Sequence, residues 1–315
     1  LAWTIAARAG ARIEQAEARC AACAASYPVR EGIGIFLTPD LPRDDLWEQA
    51  ESGLMRFVRG DPAIERQLMD GPAAALGPAD QFFRALVLEE RGEYAPARAV
   101  AGLAHQGLYT AEYRACHERQ RQEVVAHVAA ATGPIVDLAS GRGDLVERLA
   151  RELSQPIIAS DFSPQVLRRD RRWLAHWGLY DRVSLLAFDA RRTPFKDGVV
   201  TTMTTNLGLP NIEQPLDALR ELRRVVAGTL LAISCFYPEA DIPNVAAIQA
   251  TGDNPLLFRA PALASFATAG WQVALAGACA GSALPTPRGV VIADAGIDGL
   301  PVAPTTLEWA TLVAR

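Results

Sequence analysis

Three carboxylates in the second half of the chain, Asp137, Asp161 and Asp189, stand at the ends of successive short apolar runs. The first belongs to Val136-Asp137-Leu138-Ala139-Ser140-Gly141-Arg142-Gly143-Asp144-Leu145, where a strand pattern gives way to a helical one. Glycines at such a turn let the backbone bend sharply and let a ligand approach the main chain. In an open α/β sheet this turn borders the crevice where ligands bind. A dinucleotide fingerprint requires a third glycine where the sequence has Val146, and its pyrophosphate would meet the Asp144 carboxylate. No Gly-Lys-Ser/Thr follows, which excludes a P-loop. An acidic loop suits a phosphate-free ligand with a positive centre, and S-adenosylmethionine, with a sulfonium and an amino group, is one. Asp161 follows Gly141 by twenty residues, the distance at which an acid ending the second strand reaches a ribose diol. Asp189, ending Leu186-Ala187-Phe188-Asp189, is placed to accept from an adenine amino group. Asn206, in Thr204-Thr205-Asn206-Leu207-Gly208-Leu209-Pro210, ends the fourth run over the expected reacting centre. It is the candidate catalytic residue there, although a turn asparagine closing a strand explains it equally well.

The elements that must hold these residues follow from periodicity. Apolar runs at 135–139, 157–160, 183–188, 199–204, 229–236, 271–278 and 306–313 alternate with helical patterns at 144–154, 164–177, 213–226 and 260–269. Such alternation predicts an α/β fold, a doubly wound parallel sheet with helices on both faces. The Gly- and Pro-rich stretch 281–304 predicts a long connection between two antiparallel final strands. Residues 39 to about 132 read as helical, with a helix start at Asp44-Asp45-Leu46-Trp47 and helices over 81–91 and 113–131. Gly92, Gly102 and Gly107 are expected to break this part into pieces. Residues 27–37 are β-type.

In order and spacing, the four signals resemble the class I S-adenosylmethionine-dependent methyltransferases over residues 109–315. Ser160-Asp161-Phe162-Ser163-Pro164, Asp189-Ala190 with Pro194-Phe195-Lys196-Asp197, and Asn206-Leu207-Gly208-Leu209-Pro210-Asn211-Ile212 carry the likeness. The resemblance implies a mostly parallel, seven-stranded Rossmann-like sheet. It also implies Asp137 and the loop of Ala139, Gly141 and Gly143 at the methionyl part of the cofactor, Asp161 on the ribose, and Phe162, Asp189 and Ala190 around adenine. Two positions depart from the pattern: Ala139 replaces the first glycine, adding a methyl that narrows the pocket, and Asp144 follows the loop.

The amino-terminal Cys20-x-x-Cys23 with Tyr27-Pro28 and Gly32-Ile33 resembles the short zinc-ribbon activator subunits of RNA and protein methyltransferases. Structural zinc takes four ligands. Trp3 and Ala6 stand where the other cysteine pair belongs, so the expectation is a ribbon without metal, held by packing of Ile33, Ile35 and Phe36. The expected organisation is a ribbon-like segment over 1–38, a helical cap over 39–108 and a catalytic domain over 109–315.

Half of the 315 residues are hydrophobic, which excludes bulk disorder, and the net charge of −5 argues against a chain that coats nucleic acid. No apolar run approaches the length of a membrane span. Five cysteines, an odd number, and charged residues interrupting the first thirty positions suggest a reduced, cytoplasmic protein. The chain starts at Leu1, so an initiator Met is missing or removed. Two arginine clusters, Arg168, Arg169, Arg171 and Arg172, and Arg220, Arg223 and Arg224, fit solvated helix faces at least as well as an RNA surface. His105 and His117 fall where a helical region could cover the acceptor, but a surface or core role explains each histidine better than a base; Tyr109 and Tyr113 fall where they could close over the cofactor, and ordinary packing accounts for them equally well. The leading expectation is methyl transfer to a small molecule. The alternatives are an RNA or protein methyltransferase that docks through the ribbon, and a non-catalytic binding or scaffold protein.

Overall fold

The computed structural model describes residues 1–38, 52–252 and 254–315. The helix start expected at 44–47 lies outside the described residues. Residues 1–38 fold into strands β1 (Ala2–Ala9), β2 (Arg12–Arg19), β3 (Ser26–Arg30) and β4 (Ile33–Ile35). Five helices follow: α1 (Gly53–Gly60), α2 (Pro62–Met69), α3 (Pro78–Glu90), α4 (Tyr94–Leu108) and α5 (Ala111–Val128). The alternating region then runs β5 (Ile135–Asp137), α6 (Asp144–Glu152), β6 (Ile157–Asp161), α7 (Pro164–His176), β7 (Val183–Ala187), β8 (Val200–Asn206), α8 (Pro215–Val225) and β9 (Val226–Phe236). Helices α9 (Ile242–Ala250) and α10 (Arg259–Thr268) and strands β10 (Val273–Ala283) and β11 (Thr305–Ala314) complete it.

All these strands join one sheet in the order β1-β2-β3-β4-β7-β6-β5-β8-β9-β11-β10. The sheet therefore has eleven strands and is mixed, which corrects the expected seven-stranded, mostly parallel one. Pairings from β4 through β7, β6, β5 and β8 to β9 are parallel, and those at both flanks are antiparallel. The added strands are the amino-terminal ones. Ile33, Gly34 and Ile35 pair in parallel with Leu185, Leu186 and Ala187, and Ile33 and Ile35 are buried in the main apolar core. Gly34 permits this docking, because a Cβ there would sit 2.7 Å from the Phe36 ring and 2.9 Å from Leu186. Arg12 reinforces the joint, stacking 3.8 Å above the Tyr180 ring and donating to the Val183 carbonyl at 3.0 Å. Apolar packing thus holds the segment, as expected for Ile33 and Ile35. Among the described residues no group of three or more His, Cys, Asp or Glu is arranged to hold a metal.

Two of the glycines expected to break the helical part lie inside α4 instead. Gly102 faces open space, and Gly107 leaves a notch that Pro78, at the start of α3, fills; a Cβ there would come within 2.5 Å of the proline ring. The expected antiparallel pairing of the last two strands is observed. Among the described residues no helix is long and apolar enough to cross a membrane.

Candidate functional site

The turn between β5 and α6 is pinned from below. Leu138 N–H donates to the Thr204 carbonyl, and Ser140 N–H and Oγ both donate to the Ser160 carbonyl, each at 2.8 Å. These bonds tie the ends of β5, β6 and β8 together beneath the loop. Ala139, Gly141 and Gly143 all adopt left-handed backbone conformations, with φ of 51°, 54° and 73°. For Ala139 that costs roughly 1 kcal/mol. Its methyl points at Gly208: a Cβ on Gly208 would lie 2.7 Å from that of Ala139. The alanine that departs from the family pattern is therefore accommodated by a glycine on the facing loop.

Asp161 closes the loop from the side. Its Oδ2 accepts from Gly141 N–H and its Oδ1 from Ser163 N–H, both at 3.0 Å. Asp137 is buried beneath, with Oδ1 accepting from the Thr204 hydroxyl at 2.6 Å and Oδ2 without a partner among the described residues. Burial pushes its carboxyl up to about 7, against the opposing pull of that hydrogen bond. Burial lowers the pKa of His105 and His117 and raises that of Tyr109, and the field of Asp144, exposed at the head of α6, reaches all three, opposing burial at the histidines and adding to it at the tyrosine. The loop is also held from above: Arg142 pairs with buried Glu89 of α3, and Arg169 donates to the Gly141 carbonyl at 2.9 Å. A Cβ built on Gly141 meets nothing nearer than the Ala139 carbonyl at 4.0 Å. Open space beside Gly141, a buried Asp137 oxygen unpartnered among the described residues and exposed Asp144 at the head of α6 suit a ligand with a positive centre better than a phosphate.

Phe162 is half-buried, and Ala190 is buried at the end of β7. Asp189 is buried and gripped by Arg191, which reaches Oδ2 at 2.7 Å and Oδ1 at 3.0 Å. That pairing depresses the Asp189 pKa although burial opposes it, so the carboxylate expected beside adenine already has an ionic partner.

Asn206 ends β8, and its Oδ1 accepts from His117 Nε2 at 2.8 Å. Burial pushes His117 down to about 4, outweighing the opposite effect of the Asn206 bond. The imidazole is therefore neutral at ordinary pH, and since an amide oxygen can only accept, the ring proton lies on Nε2. His117 stacks on Trp309 of β11, with ring centroids 5.5 Å apart. The histidine weighed as ordinary packing thus fixes the amide of the best candidate residue, through a contact spanning 89 residues.

The same edge of the sheet opens into a cleft of about 890 Å³ beyond Leu207. Tyr109 and Tyr113 line this cleft, their rings stacked at 4.7 Å. Tyr237 and Cys235 at the end of β9, Leu257, Leu307 and the connection before β11 form the other walls. Asp298 stands at its mouth and accepts from the Tyr109 hydroxyl at 2.7 Å. Sequence reasoning missed Asp298 because nothing local distinguishes one aspartate in a Gly- and Pro-rich connection. Most members of the arginine clusters have partners within the chain: Arg171 pairs with Glu14 at 3.2 Å, Arg168 with Glu31 at 3.7 Å, Arg220 with Asp217 at 3.3 Å, and Arg224 with Glu221 at 2.6 Å. They form ties to the amino-terminal strands and within helices, and an RNA surface finds no support there.

Residues 135–228, from β5 to the start of β9, match a family model described as a methyltransferase domain. Among curated proteins, demethylmenaquinone methyltransferase of Lactiplantibacillus plantarum is 33% identical over 113 residues, 35% of this chain and 48% of its own length. Ubiquinone/menaquinone biosynthesis C-methyltransferase UbiE of Pectobacterium carotovorum is 31% identical over 108 residues, covering 33% and 43%. A solved SAM-dependent methyltransferase of Aquifex aeolicus aligns with 15% identity and a TM-score of 0.42 over 61% of this chain and 88% of its own. The chain spans about half the length of the curated relatives it matches. The stretch that carries Asp137, Gly141, Asp161, Asp189 and Asn206 is the stretch matched to a methyltransferase domain.

Proposed function

We propose that the chain is an S-adenosylmethionine-dependent methyltransferase acting on a small molecule. The observation that carries this reading is the β5–α6 loop: a left-handed turn with open space at Gly141, its N–H bonded to Asp161, inside the matched domain. S-adenosylmethionine supplies a methyl group on a sulfonium, a leaving group good enough that alignment of the acceptor is the main requirement. Asp137, Asp144 and the loop of Ala139, Gly141 and Gly143 would receive the charged methionyl part, Asp161 the ribose, and Phe162, Asp189 and Ala190 the base. Asn206, held by His117, would orient the acceptor or the cofactor amine. The relatives' names, demethylmenaquinone methyltransferase and UbiE, support a small-molecule acceptor.

In this reading residues 109–315 are the catalytic domain and 39–108 a helical cap. Residues 1–38 are a metal-free, ribbon-like extension whose function is to complete the edge of the catalytic sheet. The test is transfer of a labelled methyl group from S-adenosylmethionine to a panel of small acceptors by the full chain. Labelled product that requires Asn206 is expected; absence of both cofactor binding and transfer would overturn the reading.

A further inference from the structure

The amino-terminal segment carries two cysteines that neither the sheet nor the crevice employs. Cys20 and Cys23 are free thiols in the connection between β2 and β3, Cys20 half-buried and Cys23 exposed. That connection is a single helical turn. Ala24 N–H donates to the Cys20 carbonyl at 3.0 Å, Cys20 N–H donates to the Ala25 carbonyl at 2.8 Å, and Ala24 leaves the turn with φ of 60°. The Cα atoms of residues three apart in a helical turn lie about 5 Å apart, within the range of about 4.4–6.8 Å that a disulfide spans. The backbone N–H groups of Cys23 and Ala22 point at the Cys20 sulfur, and together with the Cys23 thiol they hold the Cys20 pKa below the usual thiol value. The other cysteines differ. Cys116 of α5 and Cys279 of β10 also meet, but burial pushes Cys116 up to about 12, and it does the same to Cys235 of β9. The thiolate is the reactive form of cysteine, so reactivity gathers at the exposed turn.

We propose that Cys20 and Cys23 form a redox-active dithiol that exchanges with low-molecular-weight disulfides, with Cys20 as the attacking sulfur and Cys23 as the resolving one. Cys20 attacks one sulfur of the small disulfide, whose S–S bond breaks and leaves its electron pair on the departing thiolate. Cys23 then gives up its proton to water and attacks the Cys20 sulfur, and the second small thiolate leaves. The two cysteines lose two electrons in forming one disulfide, and the small disulfide is reduced to two thiols. The bridge closes the end of the β2–β3 ladder, beside the Arg19–Ser26 pair, and a small thiol in excess reverses it. This chemistry is independent of methyl transfer, since it belongs to the far side of β4 from the crevice.

The experiment mixes the reduced full chain with dithiobisnitrobenzoate, an aromatic disulfide whose released thiolate is coloured, and follows the colour in a stopped-flow instrument and the product by mass. A fast phase should release about two equivalents of coloured thiolate per chain and leave no probe attached, because Cys23 displaces it. Cys23→Ser should release about one equivalent in that phase and keep the probe on Cys20 as a mixed disulfide. Cys20→Ser should slow the phase by at least about tenfold. Cys279→Ser, which removes the other cysteine pair, should leave the fast phase unchanged. A fast phase that survives in Cys20→Ser or disappears in Cys279→Ser would overturn the inference, as would a mixed disulfide that persists at Cys20 in the unaltered chain. Reaction that begins only after a chelator is added would also overturn it, since the two sulfurs would then be holding a metal.

Discussion

The crevice around Gly141 and the cleft around Asp298 open on the same edge of the sheet, but their walls come from very different distances along the chain. The crevice is built from strand ends and the turns that follow them, within residues 135–206. Its defining contact, Gly141 N–H to Asp161, spans twenty positions. The cleft joins the start of α5, the end of β9 and the connection before β11, and its defining contact, Tyr109 to Asp298, spans 189. In the proposed reading the first holds the cofactor, whose recurring shape calls for glycines and acids at strand ends close together in sequence. The walls of the second come from whichever distant segments the fold brings near.

Four experiments sharpen or break this contrast, beginning with the largest effect. Asp137 is more readily protonated in the fold than in the unfolded chain. Its contribution to stability is therefore complete below about pH 4 and is lost as pH rises to about 7, at roughly 1.4 kcal/mol per pH unit. Buried Asp170 follows the same direction. Denaturant midpoints should fall from about pH 4 to about pH 7, and Asp137→Asn should flatten the slope; an equally steep slope in the variant would remove Asp137 from the base of the crevice. Asp161→Ala deletes a carboxylate that accepts two loop N–H groups, and should weaken cofactor binding by about 100-fold in calorimetry.

His117→Gln tests the bridge between the two hollows. Loss of one neutral hydrogen bond to Asn206 should cost about tenfold in kcat with cofactor affinity unchanged; a parallel loss of cofactor affinity would place His117 with the crevice instead. The smallest effect belongs to Ala139→Gly. Relief of its left-handed backbone should stabilise the fold by about 0.5–1 kcal/mol in chemical denaturation. Gly208→Ala, which crowds the Ala139 methyl and the Thr205 hydroxyl, should destabilise, and Ala139→Gly should return part of that loss.

What was legible in the sequence follows the same division. The loop, the spacing of Asp161 and the place of Asn206 are local patterns, and the structure puts each at a strand end. Asp189 was legible as a position but not as an ion pair, because Arg191 needed a backbone turn to reach back to it. Gly102 and Gly107 were misleading because a glycine that opens a notch for Pro78 has the same letter as one that ends a helix. The union of the amino-terminal strands with the sheet hangs on three residues, Ile33 to Ile35, too short a run to announce its partner β7. His117 and Asp298 carry no periodic signal, and only the fold brings them to Asn206 and Tyr109.

Titration calorimetry of the full chain with S-adenosylmethionine tests the central claim most directly. The account predicts one saturable site per chain, with the heat lost in Asp161→Ala and kept in Asp298→Asn. No heat from the unaltered chain, or binding indifferent to Asp161→Ala, would contradict it.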